Sequence, residues 1–70
     1  MQYKTKRQRI TNYLNSLFSK LKEANKTADM QLLIATTSLE LGIRESDIKE
    51  VIQTFQDANL IEIKDGELFV

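Results

Sequence analysis

Apolar residues recur every three or four positions along the first third of the chain, the spacing of one face of an α-helix. This pattern predicts an amphipathic helix over residues 6 to 25, with a buried face of Ile10, Tyr13, Leu14, Leu17, Phe18 and Leu21. Residues 25 to 27 follow as a loop. The carboxylate of Asp29 can then accept from the free amides of a new first turn, so it predicts the start of a second helix.

The second predicted helix covers residues 30 to 41 and is apolar on more than one side. One face carries Met30, Leu33, Ile34, Thr37 and Leu41, and a neighbouring strip carries Leu32, Ala35 and Leu39. A helix that is apolar on most sides is either central in a core or in contact with a partner. The strip is therefore either covered by the first helix or part of an association surface with Phe69.

A third helix is predicted over residues 45 to 58. Gly42 suits the left-handed position just after the second helix, and Asn59 suits the same position after the third. Leu60 is expected to pack back on the helix end. The buried face of the third helix consists of Ile48, Val51, Ile52 and Phe55.

The end of the chain predicts a β-hairpin. Residues 60 to 64 and 67 to 70 flank Asp65-Gly66, the favoured pair for a type I′ turn. Alternation predicts a core-facing side with Leu68 opposite Ile63 and Val70 opposite Ile61. Phe69 then points to the other side, where it is exposed or in contact with a partner.

Composition limits the chain to one small domain. Its 70 residues include no cysteine and no histidine, which excludes a disulfide framework and a histidine- or cysteine-bound metal site. No apolar run reaches the length of a membrane span, and a cytoplasmic location is the simpler expectation. Without a histidine, cysteine or glycine-rich phosphate loop, we expect neither an enzyme nor a cofactor.

Several residues around the glycine of the second turn match the helix-turn-helix unit. Ser38 supplies a small residue four positions before Gly42, and the apolar positions are filled by Leu41, Ile43, Ile48 and Val51. With the hairpin that follows, the chain from about residue 6 to 70 resembles the winged helix-turn-helix DNA-binding domain family. The expected fold is mainly α with a small β-hairpin, a three-helix winged helix. Residues 1 to 9 form a basic segment that could be flexible, and residues 10 to 70 form the domain.

The resemblance implies that the third helix enters the DNA major groove and that the hairpin, or wing, contacts the backbone. Carried onto this chain, it places base-reading side chains at Arg44, Ser46, Lys49, Glu50 and Gln53, and a wing contact at Lys64. Glutamine can pair with adenine, arginine with guanine, and glutamate with the cytosine amine.

The distribution of charge argues for a different source of phosphate contacts. Residues 1 to 22 hold six basic and no acidic residues, whereas residues 23 to 70 hold four basic and ten acidic residues. Phosphate contacts require lysine and arginine, and the third helix and the hairpin are acidic. The predicted phosphate contacts are therefore Lys4, Lys6, Arg7, Arg9 and Lys20. The alternative is that this basic segment is only a solvated terminus.

Two classes of function remain open from the sequence. The first is a small DNA-binding protein, a transcriptional or replication regulator or accessory factor of a plasmid, virus or similar element. The second is a winged helix that binds another protein through its acidic surface, as an adaptor or as a subunit of a larger assembly. The expected partners are double-stranded DNA, a second copy of the chain in a homodimer, or another protein, and no membrane.

Overall fold

The computed structural model describes residues 5–70, which form three helices and a small antiparallel sheet of three strands. The elements are α1 Lys6–Ala24, β1 Ala28–Asp29, α2 Met30–Leu41, α3 Glu45–Asp57, β2 Glu62–Lys64 and β3 Glu67–Phe69. The fold is α+β and mainly α, and its order of elements is consistent with a winged-helix arrangement. The three predicted helices are confirmed to within one residue at each end.

Local capping explains where the helices begin and end. Thr5 and Gln8 form a capping box at the start of α1, and Asn25 ends it in the left-handed conformation. The Asp29 carboxylate accepts from the Leu32 amide at 2.9 Å, as predicted for the start of α2. Gly42 ends α2 with a φ of +64°, the left-handed conformation that glycine adopts without strain.

The strands of the hairpin pair in the predicted register. Val70, however, follows the end of β3 and is 38% exposed, so the prediction that it faces the core opposite Ile61 is wrong. Ile63 pairs with Leu68 across the strands, and both Asp65 and Gly66 have positive φ, as a type I′ turn requires. Leu68 is fully buried and Ile63 is half-buried against the core. The inner face of the hairpin therefore closes one side of the core.

The strand β1 is absent from the sequence prediction, which assigns only a hairpin. Ala28 pairs with Leu68 and Asp29 with Glu67, so that β3 is the central strand of the sheet. The amide of Met30 also donates to the carbonyl of Gly66 at 2.8 Å. Two residues are too few to show an alternating pattern, so only the pairing with β3 identifies this strand.

The core lies between the three helices and the inner face of the sheet. Phe18 of α1 and Phe55 of α3 meet edge to face, with ring centroids 5.1 Å apart. The other buried apolar residues are Ile10, Leu14, Leu33, Ile34, Ile43, Ile48, Val51, Ile52, Ile61 and Leu68.

Among the described residues, five large apolar side chains are exposed, namely Leu32, Leu39, Leu60, Phe69 and Val70. Leu32 is 66% exposed and Leu39 is 86% exposed, so the first of the two alternatives for this strip, coverage by α1, is wrong. Leu60 is 62% exposed, so the expectation that it packs back on α3 is also wrong, although Asn59 takes the predicted left-handed conformation. α1 packs against the other side of α2, which leaves Leu32 and Leu39 facing away from the core.

Two neighbouring hydroxyl groups of α2 have opposite environments. The Ser38 hydroxyl donates to the carbonyl of Ile43 at 2.6 Å and so ties α2 to the turn before α3. The Thr37 side chain is fully buried, and its hydroxyl has no hydrogen-bond partner among residues 5–70. An unpaired buried hydroxyl costs about 1–3 kcal/mol.

This contrast predicts stability changes of opposite sign for two single substitutions. Thr37→Val keeps the shape of the side chain and removes the unpaired hydroxyl, so the free energy of unfolding should rise by about 1 kcal/mol. Ser38→Ala removes a made hydrogen bond and should lower it by about 1 kcal/mol. Urea unfolding followed by circular dichroism measures both. A Thr37→Val variant less stable than the natural protein would show that the hydroxyl is satisfied.

Candidate nucleic-acid interface

The polar side of α3 is free on the surface of the domain. Ile48, Val51, Ile52 and Phe55 face the core, which turns the predicted base-reading residues outward, and Arg44, Ser46, Lys49, Glu50 and Gln53 are all exposed. The side-chain amide of Gln53 donates to the Asp57 carboxylate at 2.9 Å. This amide must leave Asp57 before it can pair with a base.

Three of the predicted phosphate-contacting residues lie beside the helix-turn-helix unit. The Lys6 ammonium is 3.3 Å from the Asp47 carboxylate in the first turn of α3. The Arg7 guanidinium donates to the Thr54 hydroxyl at 2.8 Å, two turns further along α3. The third cation, Arg9, donates to the Leu41 carbonyl at the end of α2 at 3.2 Å. The structure thus places these cations in the first turns of α1, next to α3.

The cations in the first turn of α1 lower the stability of this helix. The first turn of a helix attracts negative charge, and an acidic side chain there contributes typically 0.3–1 kcal/mol. The first turn of α1 has no acidic residue and contains Lys6, Arg7 and Arg9. By contrast, α3 begins with Glu45 and Asp47, which suit its positive end. The acids of α3 therefore stabilise its first turn, whereas the cations of α1 oppose the dipole of their own helix and make their structural contacts with α3 and the end of α2 instead.

The charge around α3 changes once α1 is included. The segment from Arg44 to Asp57 holds two basic and four acidic residues. The three cations of α1 bring the neighbourhood to five basic against four acidic residues, and one of those acids, Asp47, is paired with Lys6. The side of α3 that faces α1 is therefore less repulsive to phosphate than the sequence of α3 alone predicts.

Two other predicted phosphate contacts are not part of this cluster. Lys20 is exposed, but it lies fourteen residues after Lys6, which is about 21 Å along the helix axis. Lys4 lies outside the described residues. The structure therefore brings together Lys6, Arg7 and Arg9, and separates Lys20 from them.

The wing is acidic on its outer face. Lys64 is exposed and pairs with Glu67 across the strands, and Glu62 shares its face. A groove of about 460 Å³ separates α3 from the hairpin tip, and its charged lining consists of Lys49, Asp29, Asp65 and Glu67. Three carboxylates around one lysine disfavour a phosphate in this groove.

The predicted association residues divide between two surfaces. Leu32 and Leu39 are two turns apart on the outer side of α2. Phe69 instead lines two clefts near the end of β3, and neither cleft includes a residue of α2. The sequence prediction of one joint surface is therefore wrong in its grouping.

The sequence does not predict two of the residues that contact the cations of α1. Asp47 and Thr54 hold the cations of α1, but they are more than forty residues away in the chain. Their side chains alone carry no signal of this pairing, since acidic and hydroxyl groups are common on exposed helix faces. Only the packing of α1 on α3 brings them together.

Within residues 5–70, no helix has the length and apolar character needed to cross a membrane. The same residues contain no group of three or more acidic side chains arranged to hold a metal ion. Comparison of the chain with protein-family models, with curated proteins and with solved structures found no match.

Proposed function

We propose that this protein is a small DNA-binding winged-helix protein in which α1, rather than the wing, supplies the phosphate contacts. The observation that carries the proposal is the contact of the three basic side chains of α1 with α3 and with the end of α2. In this arrangement α3 offers its polar face to the bases. Its biological role would be that of a regulator or accessory factor in transcription or replication of a compact genetic element.

The geometry supports this division of roles. Base reading needs an exposed polar helix flanked by cations that fix its position on the backbone. Arg44, Lys49 and Gln53 are exposed on α3, and Lys6 and Arg7 lie at its side. The dipole of α1 gives no stabilising reason for cations at this position.

A second candidate function is the binding of another protein without DNA. The observation that favours it is the exposure of Leu32 and Leu39 on the outer side of α2, together with the acidic outer face of the wing. Exposed apolar side chains that cluster mark association sites. In this case the acidic face would meet a basic partner.

Binding of the purified protein to random-sequence duplex DNA tests the first proposal. Fluorescence anisotropy at about 50 and 200 mM salt should give micromolar or tighter binding that weakens steeply with salt, because phosphate contacts release counterions. Single-stranded DNA of the same length is the control for simple charge attraction. Absence of binding at the lower salt concentration would refute stand-alone DNA binding and favour the protein-binding function.

A further inference from the structure

Three neighbouring clefts follow one another from the start of α1, past the end of β3, to the end of α1. Near the start of the helix, a cleft of about 220 Å³ lies between α1 and α3, with Phe55, Ala58 and Leu60 in its lining. A second cleft of about 280 Å³ shares Leu60 and continues to Phe69 and Val70. A third, of about 130 Å³, shares Phe69 and Val70 and reaches the end of α1. We call this continuous surface the α1 groove.

The two ends of the α1 groove carry positive charge. Arg7 lines the cleft at the start of α1, and Lys22 and Lys26 line the cleft at its end. Arg7 and Lys22 are fifteen residues apart, which corresponds to about 22 Å along the helix. Glu62 is the single acidic residue among those that line the three clefts. A partner for this groove therefore offers apolar side chains to Leu60 and Phe69 and acidic side chains to the cations at its two ends.

The outer side of α2 has the complementary properties. We call Leu32, Ala35 and Leu39 the α2 strip; its two leucines are the most exposed large apolar side chains of the described residues. Asp29, the residue that caps the start of α2, and Glu40, next to its last residue, are both exposed, so the helix has an acidic residue at each end. α2 contains no basic residue.

The dimensions of the two surfaces also match. The twelve residues of α2 extend for about 18 Å, slightly less than the span between Arg7 and Lys22. A helix that lays an apolar strip into a groove of this length is a common mode of recognition. The leucine side chains would then meet Leu60 and Phe69, and the acidic ends would face the cations of the groove.

From these matches we infer that the α1 groove binds the α2 strip of a second copy of this chain. Since the two surfaces of one contact are different, each molecule keeps a free strip and a free groove. Such a heterologous contact continues head to tail into a ring or an open chain rather than stopping at a two-fold dimer. The inference does not require the proposed DNA binding, although Arg7 belongs to both proposed surfaces.

A contact between two identical surfaces fits the molecule less well. Two α1 grooves facing each other would bring their positive ends together. The outward face of α1, with Asn12, Ser16 and Ser19, has no apolar residue to fill a groove. Two α2 strips could meet, but this contact would leave Leu60 and Phe69 uncovered and would place the acids of both helices close together.

Two single substitutions and their mixture test the head-to-tail contact. Leu39→Glu disrupts the α2 strip, and Leu60→Glu disrupts the α1 groove. Both residues are exposed, so both variants should keep their fold. Sedimentation of the natural protein should show a mass that rises with concentration past two chains. Each variant alone should associate at least about tenfold more weakly, since a buried leucine is replaced by a charge. An equimolar mixture should recover one intact contact and stop at two chains.

The mixture distinguishes this arrangement from the alternatives. The matched control is Asn12→Glu, which adds the same charge on the outer side of α1 and should associate like the natural protein. If Leu60→Glu leaves association unchanged, the contact is between two α2 strips and the inference is overturned. It is equally overturned if the natural protein stays a single chain at the highest concentration reached, or if the mixture of variants does not associate.

Discussion

Replacing Lys6, Arg7 and Arg9 together by glutamine is expected to abolish most of the affinity for duplex DNA. In the proposed arrangement these side chains contact phosphates at the sides of α3, near which they are held by Asp47, Thr54 and the end of α2. Loss of three contacts should reduce the slope of log affinity against log salt by about 3, and the affinity at 50 mM salt by up to about a thousandfold. Fluorescence anisotropy across a salt series measures both quantities.

The matched control removes the same charge from the last turns of α1 and the loop that follows it. Lys20, Lys22 and Lys26 are all exposed and lie away from α3, so their triple replacement by glutamine lowers the net charge equally. If only net charge attracted DNA, both triple variants would lose the same affinity. The proposed site requires a much larger loss for the first variant, and equal losses would contradict it. Circular dichroism spectra of both variants verify that α1 remains folded.

The base-reading residues of α3 belong to a different test. A phosphate contact lowers affinity for every sequence, whereas a base contact lowers it for the preferred sequence only. Arg44 and Gln53 are exposed on α3, and Gln53 is already bonded to Asp57. In the proposed arrangement the phosphate contacts come from α1 and the base contacts from α3, so the two kinds of contact would be separable on this small surface.

Local sequence patterns predict the elements of this fold well because each carries its own signal. Three runs of apolar residues have the helical period, and capping residues such as Asp29 and Gly42 mark their limits. The Asp65-Gly66 pair fixes the register of the hairpin, since a type I′ turn requires positive φ at both positions. All these features depend on residues that are close together in the chain.

Features that depend on distant residues are not predictable in the same way. β1 exists because Ala28 and Asp29 pair with a strand nearly forty residues later. The exposure of Leu32 and Leu39 depends on which side of α2 is taken by α1, and both sides are apolar in the sequence. For the same reason the sequence groups Phe69 with α2, whereas the fold places it beside α1.

In the candidate site, too, local features are predictable from the sequence and contacts between distant residues are not. The sequence identifies the exposed polar residues of α3 and the cluster of cations before Ile10, because these are local patterns. It does not show that Lys6 and Arg7 lie against α3, since this requires the crossing of two helices. The acidic character of α3 argues against DNA binding in the sequence. In the fold, part of that charge is balanced by α1 and by the positive end of α3 itself.

Leu14→Ala is expected to have the largest effect on stability of any change considered for this domain. The Leu14 side chain has no exposed area and lies in the middle of α1, so truncation leaves a cavity that the neighbouring side chains fill only in part. Such substitutions cost about 2–5 kcal/mol. A domain of this size has few kcal/mol to lose, since a single small core rarely supplies more than about 3–5 kcal/mol. The variant should therefore be largely unfolded at 37 °C.

The same substitution at Leu39 shows whether the loss of stability at Leu14 comes from burial or from replacing a leucine as such. Leu39 is 86% exposed, and alanine is at least as good a helix former, so Leu39→Ala should change the free energy of unfolding by no more than about 0.5 kcal/mol. Urea unfolding of both variants, at a dilution that keeps the chains apart, gives the comparison. Similar losses at the two positions would mean that Leu39 is covered within the single chain. That result would remove the exposed strip on which head-to-tail association depends, whereas a large loss at Leu14 alone leaves the strip free to bind a second copy.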